Sequence, residues 1–174
     1  MALTIDATVG GASSNSFITL AEAETYMEGR GNKSTWTDAS ADEKNIALVE
    51  ATRDISLMCF IGVRASDTQA LSWPRDWAIN PDDPNNAYYE NTVIPQRVKD
   101  ATAEYAFQYI KAGSTDVGAL NPLTNVKKKV VDVLSTEYFS PSGTPTGVAR
   151  YPGVISQLEP LLENVGLTTP VVKG

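Results

Sequence analysis

The 174-residue sequence predicts a mainly α-helical fold: a small helical bundle, a short β element pairing an N-terminal strand with a strand near 126–139, and an extended C-terminal arm. Three observations carry this reading. Two Ser/Thr-x-x-Glu signatures stand directly before amphipathic runs, where a hydroxyl and a carboxylate can satisfy the first free amides of a helix. Residues 96–113 carry apolar side chains at helical spacing and close on a glycine. Stretches with β character are few and short, at 3–9 and 126–139.

Residues 3–9, LTIDATV, alternate partly with period two and run into the turn-rich GGASSNS, which ends a short strand. Thr19-Leu20-Ala21-Glu22 opens a helix from about Leu20 to Glu28, stopped by Gly29 or Gly31. Ser40-Ala41-Asp42-Glu43 opens a longer one running toward Phe60, with Ile46, Val49, Ile55 and Met58 on a broad apolar face beside Ala47, Leu48 and Ala51. From Gly62 to Thr92 the periodicity breaks. Pro74, Pro81 and Pro84, with the Asn/Asp-rich run at 80–86, describe a long loop, and loops of that length inside a domain are usually functional. Pro95 then starts the cleanest helix, whose stripe of Val98, Ala101, Tyr105 and Tyr109, with Thr102 and Ala106, ends at Gly113. After a turn-rich spacer, VKKKVVDVLSTEYF at 126–139 reads as the strand that pairs with 3–9. SPSGTPTG at 140–147 has the composition of a hinge, and YPGVISQLEPLLENVG beyond it offers one short amphipathic helix. The organisation expected is therefore a helical domain over 1–139 and a hinge with a C-terminal arm over 140–174.

Composition narrows the function. The net charge of −7 repels phosphate backbones and anionic membranes, so nucleic-acid binding would need a local basic patch acting against the whole chain. There is no histidine, which removes the commonest general base, the usual nucleophile triads and most transition-metal sites. The single Cys59 excludes zinc clusters within one chain; set in LMCFI, it reads as a small buried thiol. Neither GxxxxGK[ST] nor GxGxxG occurs, and Asp82 and Asp83 lack the regular spacing of a calcium loop and read as a solvated turn. No catalytic, metal or cofactor residues are assigned, and the chain is read as a non-enzyme. Its start lacks a basic, then apolar, leader, and no run of about 18 apolar residues occurs, so no membrane association is expected.

Two stretches remain as candidate sites. In LSWPRDW, at 71–77, Trp73 and Trp77 flank Arg75, and rings beside a cation serve either as a stacking platform for single-stranded nucleic acid or as the root and contact surface of the long loop. The neighbouring charges are mostly acidic: Asp67, Asp76, Asp82 and Asp83 against Arg64 and Arg75. That balance favours packing or an inter-subunit or tail-facing contact. Lys127, Lys128 and Lys129 form the only basic run, either protecting an edge strand or lining a channel through which DNA passes.

Several separated segments, taken in order, carry a resemblance: NSFITLAEAETYMEGRG at 15–31, Trp36, ATRDI at 51–55, RASDTQALSWPRD at 64–76, VIPQRVKDATAEYA at 93–106 and YPGVISQLEPLL at 151–162. Together they resemble the tailed-bacteriophage head–tail adaptor (head completion, or connector) family, many of whose members carry the label of a DnaT-like single-stranded DNA-binding protein. The resemblance implies a structural virion protein in the head–tail neck, assembled in the host cytoplasm. It implies a homo-oligomeric ring, dodecameric in the usual case, between the portal protein and the downstream tail or neck proteins. Such a ring extends the channel for genomic DNA without sequence-specific binding. It also implies a C-terminal segment docked on the portal, a role that would fall to Tyr151, Ile155, Leu158, Leu161 and Leu162. The alternative reading is a single-stranded DNA-binding module.

Overall fold

The computed structural model describes residues 3–85, 87–113, 128–131, 134–137 and 151–163. Helix α1 spans Leu20–Glu28 and α3 spans Ala41–Ser56, and both expected capping boxes form. The Thr19 amide donates to Glu22 Oε2 at 2.8 Å while the Glu22 amide donates to Thr19 Oγ1 at 3.2 Å. Ser40 and Glu43 make the same exchange. Between them lies α2, Ser34–Asp38, which buries Trp36. At five residues it is too short to leave a periodic signature in the sequence.

Helix α4, Gln96–Lys111, is capped by Pro95 and closed by Gly113 in the left-handed region. Its expected stripe is buried in full: Val98, Ala101, Thr102, Tyr105, Ala106 and Tyr109. It packs against Ala47, Leu48, Ala51 and Ile55 of α3, where small residues let the two backbones approach. One carboxylate sits in this seam. Asp54 accepts hydrogen bonds from the Tyr105 hydroxyl at 2.6 Å and the Tyr109 hydroxyl at 2.8 Å. Burial, and then the bond to Asp54, raises both phenols above their ordinary range.

The mainly helical class holds, but the β pairing differs from expectation. Residues 3–9 form no strand; β3, Lys128–Val131, pairs instead with β4, Leu134–Glu137, as an antiparallel hairpin. A hairpin local in sequence closes a much shorter loop than pairing across more than a hundred residues would, at lower entropic cost. The N-terminal segment is held by side chains. Asp6 bonds the Thr8 amide and the Ser13 hydroxyl, and Asn45 reaches the Leu3 carbonyl. The other hairpin, β1 (Val63–Arg64) with β2 (Arg75–Asp76), lies inside the long loop.

The docking arm is a second correction. Helix α5, Pro152–Leu158, with the 3₁₀ turn Glu159–Leu161, folds back on the same chain. Val154, Leu158 and Leu161 are buried, Ile155 and Leu162 pack against the core, and the Tyr151 ring lies 5.4 Å from that of Tyr105. Burying these side chains on α4 supplies the apolar partner that so short a helix needs. The backbone continues the attachment: the Ile61 amide donates to the Leu161 carbonyl at 3.0 Å and the Glu163 amide to the Cys59 carbonyl at 2.9 Å. This extended pairing also explains why α3 ends at Ser56 and not near Phe60, and why Cys59 is exposed and not buried. The expected hinge at 140–147 lies outside the described residues. No helix among them is long and apolar enough to cross a membrane.

Candidate functional site

The segment from Gly62 to Thr92 contains little regular structure yet is fixed by buried polar groups. Gln69, 2% exposed, acts as a three-way connector: its Oε1 accepts from the Ser66 amide at 2.9 Å, and its Nε2 donates to the carbonyls of Leu71 at 2.8 Å and Pro74 at 3.0 Å. Arg64 donates to the Gln69 carbonyl. Arg75 sends its guanidinium inward, to the carbonyls of Ile61 (2.8 Å), Ser72 (3.1 Å), Phe60 (3.0 Å) and Gly62 (2.6 Å). Five donors in one rigid plane make this possible, and lysine cannot copy it. Arg75→Lys is expected to lower unfolding free energy by about 2 kcal/mol, measured by urea denaturation, because some of these carbonyls lose their partner.

The two tryptophans of LSWPRDW separate. Trp73 is 1% exposed and packs edge-on to Phe60 at 5.6 Å and to Tyr89 at 6.1 Å, so it is the root of the loop. Its peptide bond to Pro74 is cis. Trp77 is 67% exposed and takes φ of +57°, in the left-handed region that a bulky residue seldom enters. A close backbone crossing holds it there. Gly62, at φ +75°, lies so near the 76–78 segment that a β-carbon on it would stand 3.0 Å from the Trp77 carbonyl carbon and 2.9 Å from the Ala78 amide nitrogen. Ala78 is fully buried and its carbonyl accepts from the Tyr89 amide at 2.9 Å, while the Asn80 amide bonds the Ala87 carbonyl at 2.8 Å.

Side chains along this frame alternate. Ala78 and Tyr89 point inward, whereas the bridge partners Ile79 and Tyr88 are 41% and 58% exposed, and partners across a bridge share one face. Val63 and Trp77 add to the exposed apolar set. The loop is tied to α4 by Arg97, which bonds both carboxylate oxygens of Asp82, at 2.6 and 2.9 Å. That bond lowers the Asp82 pKa and raises that of Arg97.

Among the other described cations outside the basic run, all but Lys33 and Lys111 are committed to carboxylates. Arg30 pairs with Glu104, Lys44 with Glu24, Arg53 with Glu50 and Lys99 with Glu22. Of the basic run, Lys127 lies outside the described residues, and Lys128 and Lys129 fall on β3 opposite Glu137 and Thr136. The structure thus brings Trp73, Arg75 and Trp77 into one framework, with two of them structural and one presented outward. Gln69 and Tyr88 were missed in the sequence because neither a buried glutamine nor an exposed tyrosine has a local signature. Asp54 was detectable: it follows Ala47 and Ala51 on the same buried face of α3.

A family model described as "Putative DnaT-like ssDNA binding protein" matches residues 1–174. No curated protein and no solved structure matches the chain.

Proposed function

We propose that this chain, which belongs to the DnaT-like single-stranded DNA-binding protein family, works as a structural, protein-binding subunit of a phage head–tail joint. In this reading it forms a ring between the portal and the tail and has no catalytic role. The observation that carries the reading is the pairing of an exposed apolar surface with spent cations. Val63, Trp77, Ile79 and Tyr88 are presented on a fixed frame, while Arg64, Arg75 and Arg97 of the same region are turned to carbonyls or to Asp82. Nucleic acid stacked on an aromatic ring needs cations free to meet its phosphates. A protein partner needs a desolvating aromatic anchor, which Trp77 supplies.

The second reading is the one in the family's description, binding of single-stranded DNA, and the exposed rings of Trp77 and Tyr88 favour it. The two readings diverge in one titration. As a joint subunit, the protein should show no tryptophan quenching by oligonucleotides at low salt and should form a ring-sized complex with a portal protein in native mass spectrometry. Quenching that weakens steeply with salt, without a portal complex, would replace the first reading by the second. Trp77→Ala should leave the thermal midpoint close to that of the parent protein and weaken the portal complex about 30-fold, the effect of losing a 2 kcal/mol anchor. An unchanged complex would remove Trp77 from the interface.

A further inference from the structure

Resting on the joint-subunit reading, we propose that the Trp77 face takes up an arginine side chain from an apolar stretch of a different protein, stacked on the exposed rings and paired with Asp76 and Glu90. Register places these groups together. Val63 stands opposite Asp76 across the β1–β2 pair, and Ile79 stands opposite Tyr88 across the neighbouring bridge. The bonds from the Tyr89 amide to the Ala78 carbonyl and from the Asn80 amide to the Ala87 carbonyl fix that second register, and continuing it by one residue brings Trp77 level with Glu90. The two pairings meet at the Gly62 crossing, beside Trp77. The face thus offers the exposed rings of Trp77 and Tyr88, the exposed aliphatic groups of Val63 and Ile79, and two carboxylates, one next to Trp77 in the chain and one across from it.

Charge selects the occupant. Between Gly62 and Thr92 the carboxylates of Asp67, Asp76, Asp82, Asp83 and Glu90 stand against only Arg64 and Arg75. Both arginines belong to the other face of the β1–β2 pair, because they lie opposite each other one residue along from Val63 and Asp76. There Arg64 bonds the Gln69 carbonyl and Arg75 the carbonyls of Phe60, Ile61, Gly62 and Ser72. Asp82 is paired with Arg97, whereas Asp76 and Glu90 have no ion-pair partner among the described residues. The face is therefore anionic as well as aromatic: it repels a phosphate group and attracts a cation through the carboxylates and the negative faces of the rings together. Arginine fits it better than lysine, because a flat guanidinium stacks on a ring while its edge donates to a carboxylate.

A second copy of this chain does not supply that ligand. Two copies of the same face would set carboxylate against carboxylate. The remaining arginines among the described residues are already committed, Arg30 to Glu104, Arg53 to Glu50 and Arg97 to Asp82. The occupant is another protein, whose arginine is flanked by apolar side chains that cover Val63 and Ile79.

Isothermal titration calorimetry of the full chain tests it. The probes are a short blocked peptide of alternating leucine and arginine and its counterpart with citrulline, which keeps the shape and removes the charge. The arginine peptide should bind about tenfold more tightly than the citrulline peptide and shift the tryptophan emission, which reports Trp77 because Trp36 and Trp73 are buried. The double variant Asp76→Asn, Glu90→Gln should weaken the arginine peptide about tenfold and Trp77→Leu about fivefold. The matched control Glu28→Gln, Asp38→Asn, which removes two exposed carboxylates outside the long loop, should change it less than about twofold. Circular dichroism melts establish that each variant is folded. Overturning results are equal affinity for the two peptides, equal losses in the two double variants, or quenching by oligothymidylate without binding of the arginine peptide. The joint-subunit reading fails separately, by absence of a portal complex in native mass spectrometry. A portal complex indifferent to Asp76→Asn, Glu90→Gln overturns only the arginine contact.

Discussion

Asp54→Ala is expected to lower the unfolding free energy by about 2–5 kcal/mol, enough to unfold a large fraction of a domain whose total is about 5–15 kcal/mol. The carboxylate is the acceptor for both Tyr105 and Tyr109 in the seam between α3 and α4. Truncation leaves two buried hydroxyls without an acceptor, and each such loss costs about 1–3 kcal/mol. Asp54→Asn keeps a carbonyl oxygen in place and should cost less than half as much. Urea denaturation of the pair decides the matter: equal losses in the two variants would show that packing of the side chain, and not its acceptor, matters.

The same cluster sets an alkaline limit. Both phenols are raised above the ordinary value of 10.0, by burial first and the Asp54 bond second, so the folded state holds these protons more tightly than the unfolded chain. Their contribution is complete below pH 10 and is lost as pH rises toward the folded-state values. Above pH 10 each contributes a slope of about −1.4 kcal/mol per pH unit. Tyr26 and Tyr89 are raised as well, by desolvation in each case, and add to the total slope. Comparison with Tyr109→Phe isolates one phenol: the variant should be less sensitive to alkali by that single-group slope. Identical pH profiles would exclude the hydroxyl from the linkage.

Gly62→Ala should be the most damaging single-methyl change in the long loop, at about 3 kcal/mol or more. The residue sits at φ +75°, where a β-carbon costs about 1–2 kcal/mol by itself. The added carbon would also press on the Asp76 carbonyl oxygen, the Trp77 carbonyl carbon and the Ala78 amide, all backbone atoms that cannot swing away. Relief requires the 76–78 segment to move, and with it Trp77. Gly62→Ala should therefore weaken partner binding even below its melting temperature, unlike a change that only destabilises the core. Retained binding at a temperature where the variant is fully folded would show that Trp77 does not depend on this crossing.

Much of the scaffold was legible in the chain itself. The capping boxes at Thr19 and Ser40, the buried stripe of α4 and its closing Gly113 are local patterns, and local hydrogen bonding with 3.6-residue periodicity is enough to specify them. The absence of histidine and of phosphate-cradling motifs is likewise a property of the sequence. What the tertiary structure decided were the choices between partners distant in the chain. Whether the apolar face of α5 covers α4 or another protein depends on an exposed surface on α4 that no local pattern records; here Leu158 and Leu161 fill it. Residues 128–131 found their partner in 134–137, a few residues on, and not in 3–9. LSWPRDW shows the division most clearly. Its residue types announced an aromatic cluster with a cation. Only the crossing at Gly62 and the carbonyls of Phe60, Ile61 and Gly62 around Arg75 determined that Trp73 turns into the core and Trp77 out of it, because those carbonyls come from residues 13–15 positions away and depend on where the backbone passes.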